Sequence, residues 1–557
     1  MLNYQNRILE AVKERLPEMD IVFTRLPSAE MGDIAIPCFT MAKQLRKSPA
    51  DIARDLEQSV AELDFVCKTE VKGGYLNIFL NKTQLFRDTI TEIFEQGYKY
   101  GSSMSGAGKT ALIEHTSINP NASPHVGRAR NAMIGDSLVR IMKFEGYKVD
   151  THYFVNDIGK QIAMLLLGVE DAKAVTFGEL LDIYVKVNSR LEKEPELEKK
   201  VFELLYKLEN GDEDVKHKFR SVVDICIAGQ ISILGELGIK YDTFKYESDY
   251  IWSNRLEEIL NKFKSTGKLE EAADGRLVLN LSEYNLSMKE PYFVLTRADK
   301  TSLYPTRDIA YTIDKADTCS HKNIIVLGED QKLYFQELSA ALDILGYKFP
   351  EVVHYSFVLL AEGKMATRKG NVVLLEDFMK EALTRVKENM SIRRQTVDEA
   401  VAKAVAYGAV KYAFLKVDNN KNITFDWETA LSFDGDTGPY LQYSCARISS
   451  IIKKYGAALP EKADFSLLKE ASEYALIKEA ADFKTAVSRT LDELSPHIIA
   501  NYVHGLAKAF STFYHDCPVL NTDCKDLRDA RVMLIAAVRQ VIVNALQLLG
   551  IDAVDSM

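Results

Sequence analysis

The sequence predicts a multidomain chain in which an α/β unit is flanked by a small α+β module and an all-helical end. Three observations carry this. The 557 residues suit three or four domains at roughly 100–200 residues each. A strand, helix, strand pattern runs through residues 110–155, the outline of a nucleotide-binding unit. After about Ser432 only helical periods remain.

The composition is that of a globular chain, with 47% hydrophobic and 27% charged residues and only 29 Gly and 14 Pro, which excludes disordered, collagenous and coiled-coil classes. Net charge is −10, so non-specific nucleic-acid binding, which rests on excess positive charge, is not expected, although a local basic groove is compatible with it. The longest apolar runs, such as Ile162–Val169, fall short of the roughly 20 residues that span a bilayer, so no membrane segment is expected. The N-terminus has no basic stretch followed by an apolar one, which points to a cytoplasmic protein. Seven cysteines without a Cys-x-x-Cys pair argue against a disulfide framework and a structural zinc site, and read as reduced core residues.

Residues 1–88 read as the α+β module. A helical start (Ile8, Val12, Leu16) leads to helices over Pro37–Leu45 and after Pro49, and then to a strand over Gly73–Leu80. A Gly/Ser loop over 101–108 separates it from the α/β unit, taken as 105–431. There Thr110–Thr116 reads as a buried strand, and Ser123-Pro124 as a helix start with Ser as cap and Pro at the first position. Apolar residues recur from Val126 to Phe144, Gly146 stops the helix, and Tyr147–Val155 forms the next strand. A charged helical insertion spans about 170–250. Apolar runs at Leu277–Leu281, Tyr292–Thr296, Asn323–Leu327 and Val352–Leu360, with an amphipathic helix at Gln331–Leu345, resume the α/β pattern. In the helical end, 432–557, one face of the last helix carries Leu527, Ala530, Leu534, Val538, Val541, Ala545 and Leu549, with Arg528, Arg531 and Arg539 off it.

Two motifs are decoys. Gly106-Ala107-Gly108-Lys109-Thr110 lacks the first glycine of a P-loop and precedes a strand instead of following one. Gly135-Asp136-Ser137-Leu138 has the letters of a serine-hydrolase motif but lies deep in a helical period, where no sharp turn exposes the serine.

The informative stretch is Glu114-His115-Thr116-Ser117-Ile118-Asn119-Pro120-Asn121-Ala122-Ser123-Pro124-His125-Val126-Gly127-Arg128. A strand end, a polar turn and a helix start with His-x-Gly place an imidazole and backbone N–H groups where a phosphate would sit, and Gly127 lets a flat ligand approach. The alternative for His125 is a surface or capping residue.

This segment resembles the first signature of class I aminoacyl-tRNA synthetases. Asn-Pro-Asn upstream and Arg-Asn-x-x-x-Gly-Asp-Ser-Leu downstream make it similar to the arginyl-tRNA synthetase family. Four further segments follow in the family's order: Val155-Asn156-Asp157-Ile158-Gly159-Lys160-Gln161, Leu303-Tyr304-Pro305-Thr306-Arg307-Asp308-Ile309-Ala310, Met365-Ala366-Thr367-Arg368-Lys369-Gly370-Asn371, and Thr437-Gly438-Pro439-Tyr440-Leu441-Gln442-Tyr443. Gly32-Asp33, Lys47-Ser48-Pro49 and the Gly-Tyr-Leu-Asn strand resemble the family's N-terminal domain, so the resemblance spans essentially the whole chain. It implies a Rossmann-like class I catalytic domain, a tRNA-contacting N-terminal domain and a helical anticodon-binding domain.

The implied reaction joins arginine and ATP into arginyl-adenylate and transfers arginine to the 2′-hydroxyl of the terminal adenosine of tRNA-Arg, with Mg2+ arriving on ATP and a monomer as the expected state. Such activation needs positioning and charge neutralisation more than covalent chemistry. By position in the family pattern, His125, Gly127 and Met365 serve the nucleotide, and His125, Arg128, Lys364, Arg368 and Lys369 the phosphates. Guanidinium recognition asks for shielded carboxylates, and the matching positions are Glu114 and Asp308, with Tyr304 shaping the pocket and Asn119 and Gln331 meeting the amino acid's α-groups. Asn156 and Asp157 fall at the mouth of the cleft or in a plain turn. Tyr440, Gln442, Tyr443 and Arg447 are the matching tRNA-binding residues, with packing between helices as the alternative for each. No metal-ligand set is expected.

The chain departs from the family pattern at Arg128, where a His is usual, at Ala122, where a Lys is usual, and at Thr367-Arg368, where most class I enzymes have Lys-Ser. Arg128 and Ala122 leave open a catalytically weak paralogue that binds tRNA or arginine as a regulator. A synthetase for another amino acid is disfavoured, because two carboxylates suit a cationic side chain.

Overall fold

The computed structural model describes residues 1–557 except 25, 27, 28, 122, 170, 192, 254, 320, 361–372 and 394–396. The first module is a three-stranded antiparallel sheet of β1 (Ile34–Pro37), β2 (Val66–Lys72) and β3 (Tyr75–Leu80) in the order β1-β3-β2. Gly73 and Gly74, with φ of 58° and 86°, make the two-residue turn between β2 and β3, a conformation that only glycine and a few polar residues adopt cheaply. Helices Leu2–Lys13 and Pro49–Val60 bury Ile8, Val12, Ile52, Leu56 and Val60 in this module. Ser48 caps the second of them by accepting from the Asp51 amide at 3.2 Å, with Pro49 at its first turn. The helix expected from Pro37 starts at Phe39, because Pro37 still pairs with Tyr75 at the end of β1.

The central sheet is parallel, in the order β11-β10-β4-β5-β6. Its first three strands in the chain are β4 (Thr110–Glu114), β5 (Lys148–Val155) and β6 (Thr243–Tyr246). Between β5 and β6 lies the insertion, built from helices Phe177–Leu191, Pro195–Glu209 and Glu213–Glu236. Next come β7 (Leu269–Glu271), β8 (Leu277–Asn280) and β9 (Tyr292–Val294), which form a separate antiparallel sheet. This corrects the expectation that Leu277–Leu281 and Tyr292–Thr296 continue the α/β pattern. Residues 281–291 hold only one 3-10 turn, too little chain for the helical crossover that a parallel partner requires. The parallel sheet is completed by β10 (Lys322–Gly328) and β11 (Glu351–Tyr355), with helix Lys332–Ile344 crossing between them. β4 sits at the point where the strand order reverses, with β10 on one side and β5 on the other, and a crevice opens there beyond the strands' carboxyl ends.

Short strands β12 (Val358–Leu360) and β13 (Ile423–Phe425) pair in parallel and join this unit to the helices. The helical run begins with Leu375–Arg393 and Glu399–Leu415 and ends with Lys525–Leu548. The last helix is long and apolar enough to cross a membrane, and 78% of its apolar window is buried inside the protein. Its predicted face is buried at Ala530, Leu534, Val538, Val541 and Ala545. Arg531, placed off that face by the pattern, is also buried and pairs with the fully buried Glu473 at 2.7 Å. Ser137, in the second decoy motif, is buried in helix Val126–Phe144 and donates its hydroxyl to the Leu548 carbonyl at 2.8 Å. The first module docks on the helices through Asp33–Lys478 at 2.8 Å, and Tyr100, in the link to the α/β unit, donates its hydroxyl to Ala480 O at 3.2 Å. All seven cysteines are unbridged, and Cys67 and Cys524 are exposed instead of lying in the core.

Candidate active site

A cleft of about 690 Å3 lies at the carboxyl ends of β4, β5 and β10, a volume suited to a small-molecule site. β4 delivers Glu114 to its floor, and the chain then turns through Thr116 and Ser117, both left-handed at φ 74° and 44°. Non-glycine residues adopt this conformation at a cost of about 1–3 kcal/mol each, so the surroundings must hold it. They do: the Thr116 amide donates to Asn131 Oδ1 at 2.6 Å, Thr116 Oγ1 bonds the Tyr241 hydroxyl at 2.6 Å, and Ser117 Oγ accepts from the Phe154 amide at 3.3 Å. Beyond the turn, Asn119 Oδ1 accepts from Asn156 Nδ2 at 3.2 Å, and both residues line the cleft. Asp157 leaves it. Its carboxylate is buried against Ser248, whose amide and hydroxyl both donate to it, and burial pushes its pKa up to about 6.

Helix Val126–Phe144 starts at the cleft with His125 as its cap residue, in an extended conformation. The expected Ser123 cap is therefore corrected. A Ser123 cap would accept from the Val126 amide, but that amide donates to Val373 O at 3.1 Å, and the Leu375 amide donates to Pro124 O at 2.8 Å. A strand-like bridge between 124–126 and 373–375 has taken the group the cap needs. His125 and Arg128 both line the cleft. Burial, aided by the Arg128 charge, pulls the His125 pKa down to about 4, so its imidazole is neutral at pH 7. Gly127 lies between them, half-buried.

Helix Tyr304–Thr318 forms the opposite wall, and Tyr304, Asp308, Tyr311 and Lys315 line the cleft from one stripe of it. Three buried or part-buried carboxylates meet here. Glu114 forms a buried ion pair with Lys315, and Glu247 pairs with Arg307 at 2.7 Å. Asp308 is held instead by the Tyr334 hydroxyl, which donates to it at 2.5 Å. Burial first, then the charges of Glu247 and Glu114, push the Asp308 pKa up to about 7. Tyr304 is 54% exposed at the rim, 5.1 Å from the Tyr334 ring. Gln331 also lines the cleft, with its Nε2 donating to Asp330 at 3.1 Å.

The sequence-predicted residues Glu114, Asn119, His125, Arg128, Tyr304, Asp308 and Gln331 are thus brought to one cleft. Lys364, Met365, Arg368 and Lys369, and Ala122, lie outside the described residues. Sequence reasoning missed Tyr334, Lys315 and the Glu247–Arg307 pair. Tyr334 and Lys315 carried a signal: one stands three residues after Gln331 at a helix start, the other on the stripe of Tyr304 and Asp308.

Comparison with known proteins bears on the same three parts of the chain. Family models match three stretches: "Arginyl tRNA synthetase N terminal domain" over residues 2–80, "tRNA synthetases class I (R), catalytic domain" over 89–427, and "DALR anticodon binding domain" over 441–557. The chain belongs to the arginyl-tRNA synthetase family. Arginine–tRNA ligase of Methanocaldococcus jannaschii is 36% identical over 100% of this chain and 99% of its own length. That of Methanocella arvoryzae is 37% identical over 93% of this chain and 92% of its own. The solved structure of Thermus thermophilus arginyl-tRNA synthetase superposes with a TM-score of 0.84 at 27% identity, covering 99% of this chain and 98% of that one.

In this arginyl-tRNA synthetase family member, the four predicted tRNA-binding residues divide. Gln442 is fully buried, with its Nε2 donating to Ala404 O at 2.9 Å and Asp552 O at 2.7 Å, so it presents no edge to a base. This corrects its assignment: the amide staples helices together. Tyr440 is half-buried, its hydroxyl donating to Ala507 O at 3.4 Å. Arg447 donates to the Tyr443 hydroxyl at 2.7 Å and lies over the rings of both Tyr443 and the exposed Tyr514.

Proposed function

We propose that this class I synthetase activates arginine with MgATP to arginyl-adenylate and then transfers arginine to the 2′-hydroxyl of the 3′-terminal adenosine of tRNA-Arg. The observation that carries this reading is the charge pattern of the cleft. Glu114 and Glu247 already hold the chain's own cations, whereas Asp308 is held by a phenol. One carboxylate is thus left to take one cationic side chain, with Tyr304 and Tyr334 as aromatic walls and Asn119 and Gln331 toward the α-amino and carboxylate groups.

On the other wall the neutral imidazole of His125 can donate one hydrogen bond to a phosphate oxygen without carrying charge, and Arg128 supplies the permanent charge. Gly127 gives the adenine room. The sequence adds Met365 beside the nucleotide and Lys364, Arg368 and Lys369 for the leaving pyrophosphate. Mg2+ enters as the ATP complex, held mainly by phosphate oxygens and water. Residues 1–88 and 432–557 serve as the tRNA-contacting parts around a catalytic part at 105–431, with Tyr443 and Arg447 facing the tRNA. The reading carries a cytoplasmic monomer.

ATP–pyrophosphate exchange with each amino acid, with and without tRNA-Arg, tests the function. Exchange with arginine that requires the tRNA is expected. Exchange driven by lysine or glutamate overturns the assignment, and strong exchange without tRNA overturns the tRNA requirement.

A further inference from the structure

We infer that Arg130 is a positioning residue for the phosphate end of the cleft, a clamp that fixes the start of helix Val126–Phe144 against the crossing of two chain segments behind it. The inference rests on the reading of the cleft as the adenylation site. Arg130 is fully buried, and its two terminal nitrogens bond main-chain carbonyls while its Nε is buried without a partner among the described residues. Nη1 donates to Ser356 O at 2.6 Å and Lys421 O at 2.8 Å, and Nη2 donates to Asp418 O at 2.9 Å and Val417 O at 3.4 Å. Among the described residues no carboxylate bonds it. A buried cation without a paired anion is costly to place, so what it supplies must be direction: a planar fork aims its donors at fixed angles, as no aliphatic side chain or single ammonium can.

The acceptors come from two segments that lead into the paired strands β12 and β13. Ser356 links β11 to β12, and residues 417–421 link helix Glu399–Leu415 to β13. The segments are sewn together beside the guanidinium: the Ser356 amide donates to Asn419 O at 2.9 Å, the Phe357 amide to Asn422 Oδ1 at 3.0 Å, and the Ile423 amide to Phe357 O at 2.9 Å. Asn419 Nδ2 reaches the helical part at Leu494 O, 3.2 Å away.

The other half of the device is the next residue. Asn131 accepts from the Thr116 amide at 2.6 Å and donates to Val326 O at 2.8 Å. Consecutive side chains therefore bolt the helix start to the ends of β4 and β10 on one side and to the segments flanking β12 on the other. His125 and Arg128 sit within five residues of that bolt. Asp308 and Tyr334 stand on two other helices, which carry none of the carbonyls that Arg130 bonds. Loss of the clamp should therefore misplace the groups facing the phosphates and spare arginine binding.

The test uses the full-length chain with Arg130→Lys and Arg130→Met, measuring single-turnover adenylation in the presence of tRNA-Arg, arginine affinity by calorimetry, and hydrogen exchange. A single ammonium cannot span four carbonyls. Arg130→Lys should slow adenylation on the order of 10–100-fold, the scale of a roughly 1 Å misplacement, and Arg130→Met should slow it further. Arginine affinity should stay within about threefold of wild type in both. Exchange at the Ser356 and Ile423 amides should rise. Adenylation within twofold of wild type in both variants, or arginine affinity falling in step with the rate, overturns the inference. A wild type that forms no arginyl-adenylate overturns the functional reading instead, and unchanged exchange at Ser356 and Ile423 in Arg130→Lys then overturns the clamp by itself.

Discussion

Arginine affinity should depend on pH through Asp308. Its pKa is pushed up to about 7 by burial and by the nearby charges of Glu247 and Glu114. The free protein therefore holds a proton on this carboxyl below pH 7, and a guanidinium needs it removed. Apparent affinity is the intrinsic affinity multiplied by the ionised fraction, which is roughly 0.1 at pH 6 and 0.9 at pH 8, so arginine should bind about ninefold more tightly at the higher pH. The direction is fixed by the sign of the shift: affinity rises with pH through 7 and levels off above it. His125 titrates near 4, outside this window. Binding at pH 7 should release about half a proton, which calorimetry in two buffers of different ionisation enthalpy reads directly. Asp308→Asn should abolish both the slope and the proton release, and should weaken binding by about 2–5 kcal/mol, or roughly 30-fold to several-thousand-fold. A dissociation constant that is flat from pH 6 to 8, or a slope that survives in Asp308→Asn, would refute the reasoning.

Three further outcomes are expected. Arg128→Ala should slow adenylation by roughly 10²–10³, the scale of losing one charge-stabilising donor, with arginine affinity little changed; Arg128→His should recover part of the loss, and an unaltered single-turnover rate would place this side chain outside the phosphate site. Arg447→Ala should weaken tRNA-Arg binding and reduce the steepness of its salt dependence by about one counterion, while arginine-only binding stays constant; filter binding across a salt series measures it. Gly135→Ala should destabilise the fold by about 1–3 kcal/mol, since its new Cβ would lie 2.2 Å from His115 Cγ and 2.5 Å from its Cβ; an unchanged urea midpoint would contradict the packing.

What could be read in advance followed sequence distance. The strand–turn–helix unit at 110–155, the helical insertion and the last helix all announce themselves through local periodicity, and the cleft residues through short motifs. The errors arise where a distant partner competes. Ser123 and Pro124 are good helix-start residues, yet Val373 lies across from them and takes the amide that a cap would bind. Arg130 carries no local mark of its role, since its acceptors are 226 to 291 residues away. Gln442 has the chemistry to read a base, and only the carbonyls of Ala404 and Asp552 reveal that it is already committed. The short antiparallel strands at 277–280 and 292–294 carry the same apolar run as a buried parallel strand, and only the brevity of their connection separates the two.

The bond from Ser137 to Leu548 has a consequence for how the protein is made. The helix that begins at the cleft is covered by the last helix of the chain, 411 residues later. Lys411 likewise donates to the Gly550 carbonyl at the far end. At translation rates of roughly 5–20 residues per second, Ser137 waits about 20–80 s for its acceptor. During that interval the apolar face of helix Val126–Phe144 that belongs against the final helix has no cover, while the parallel sheet under it can already close through β11. The site-bearing half of the molecule thus reaches its finished packing only once Leu548 and Gly550 have been made, and a ribosome stalled within helix Lys525–Leu548 would hold a chain that owns every cleft residue yet presents an open apolar seam to chaperones.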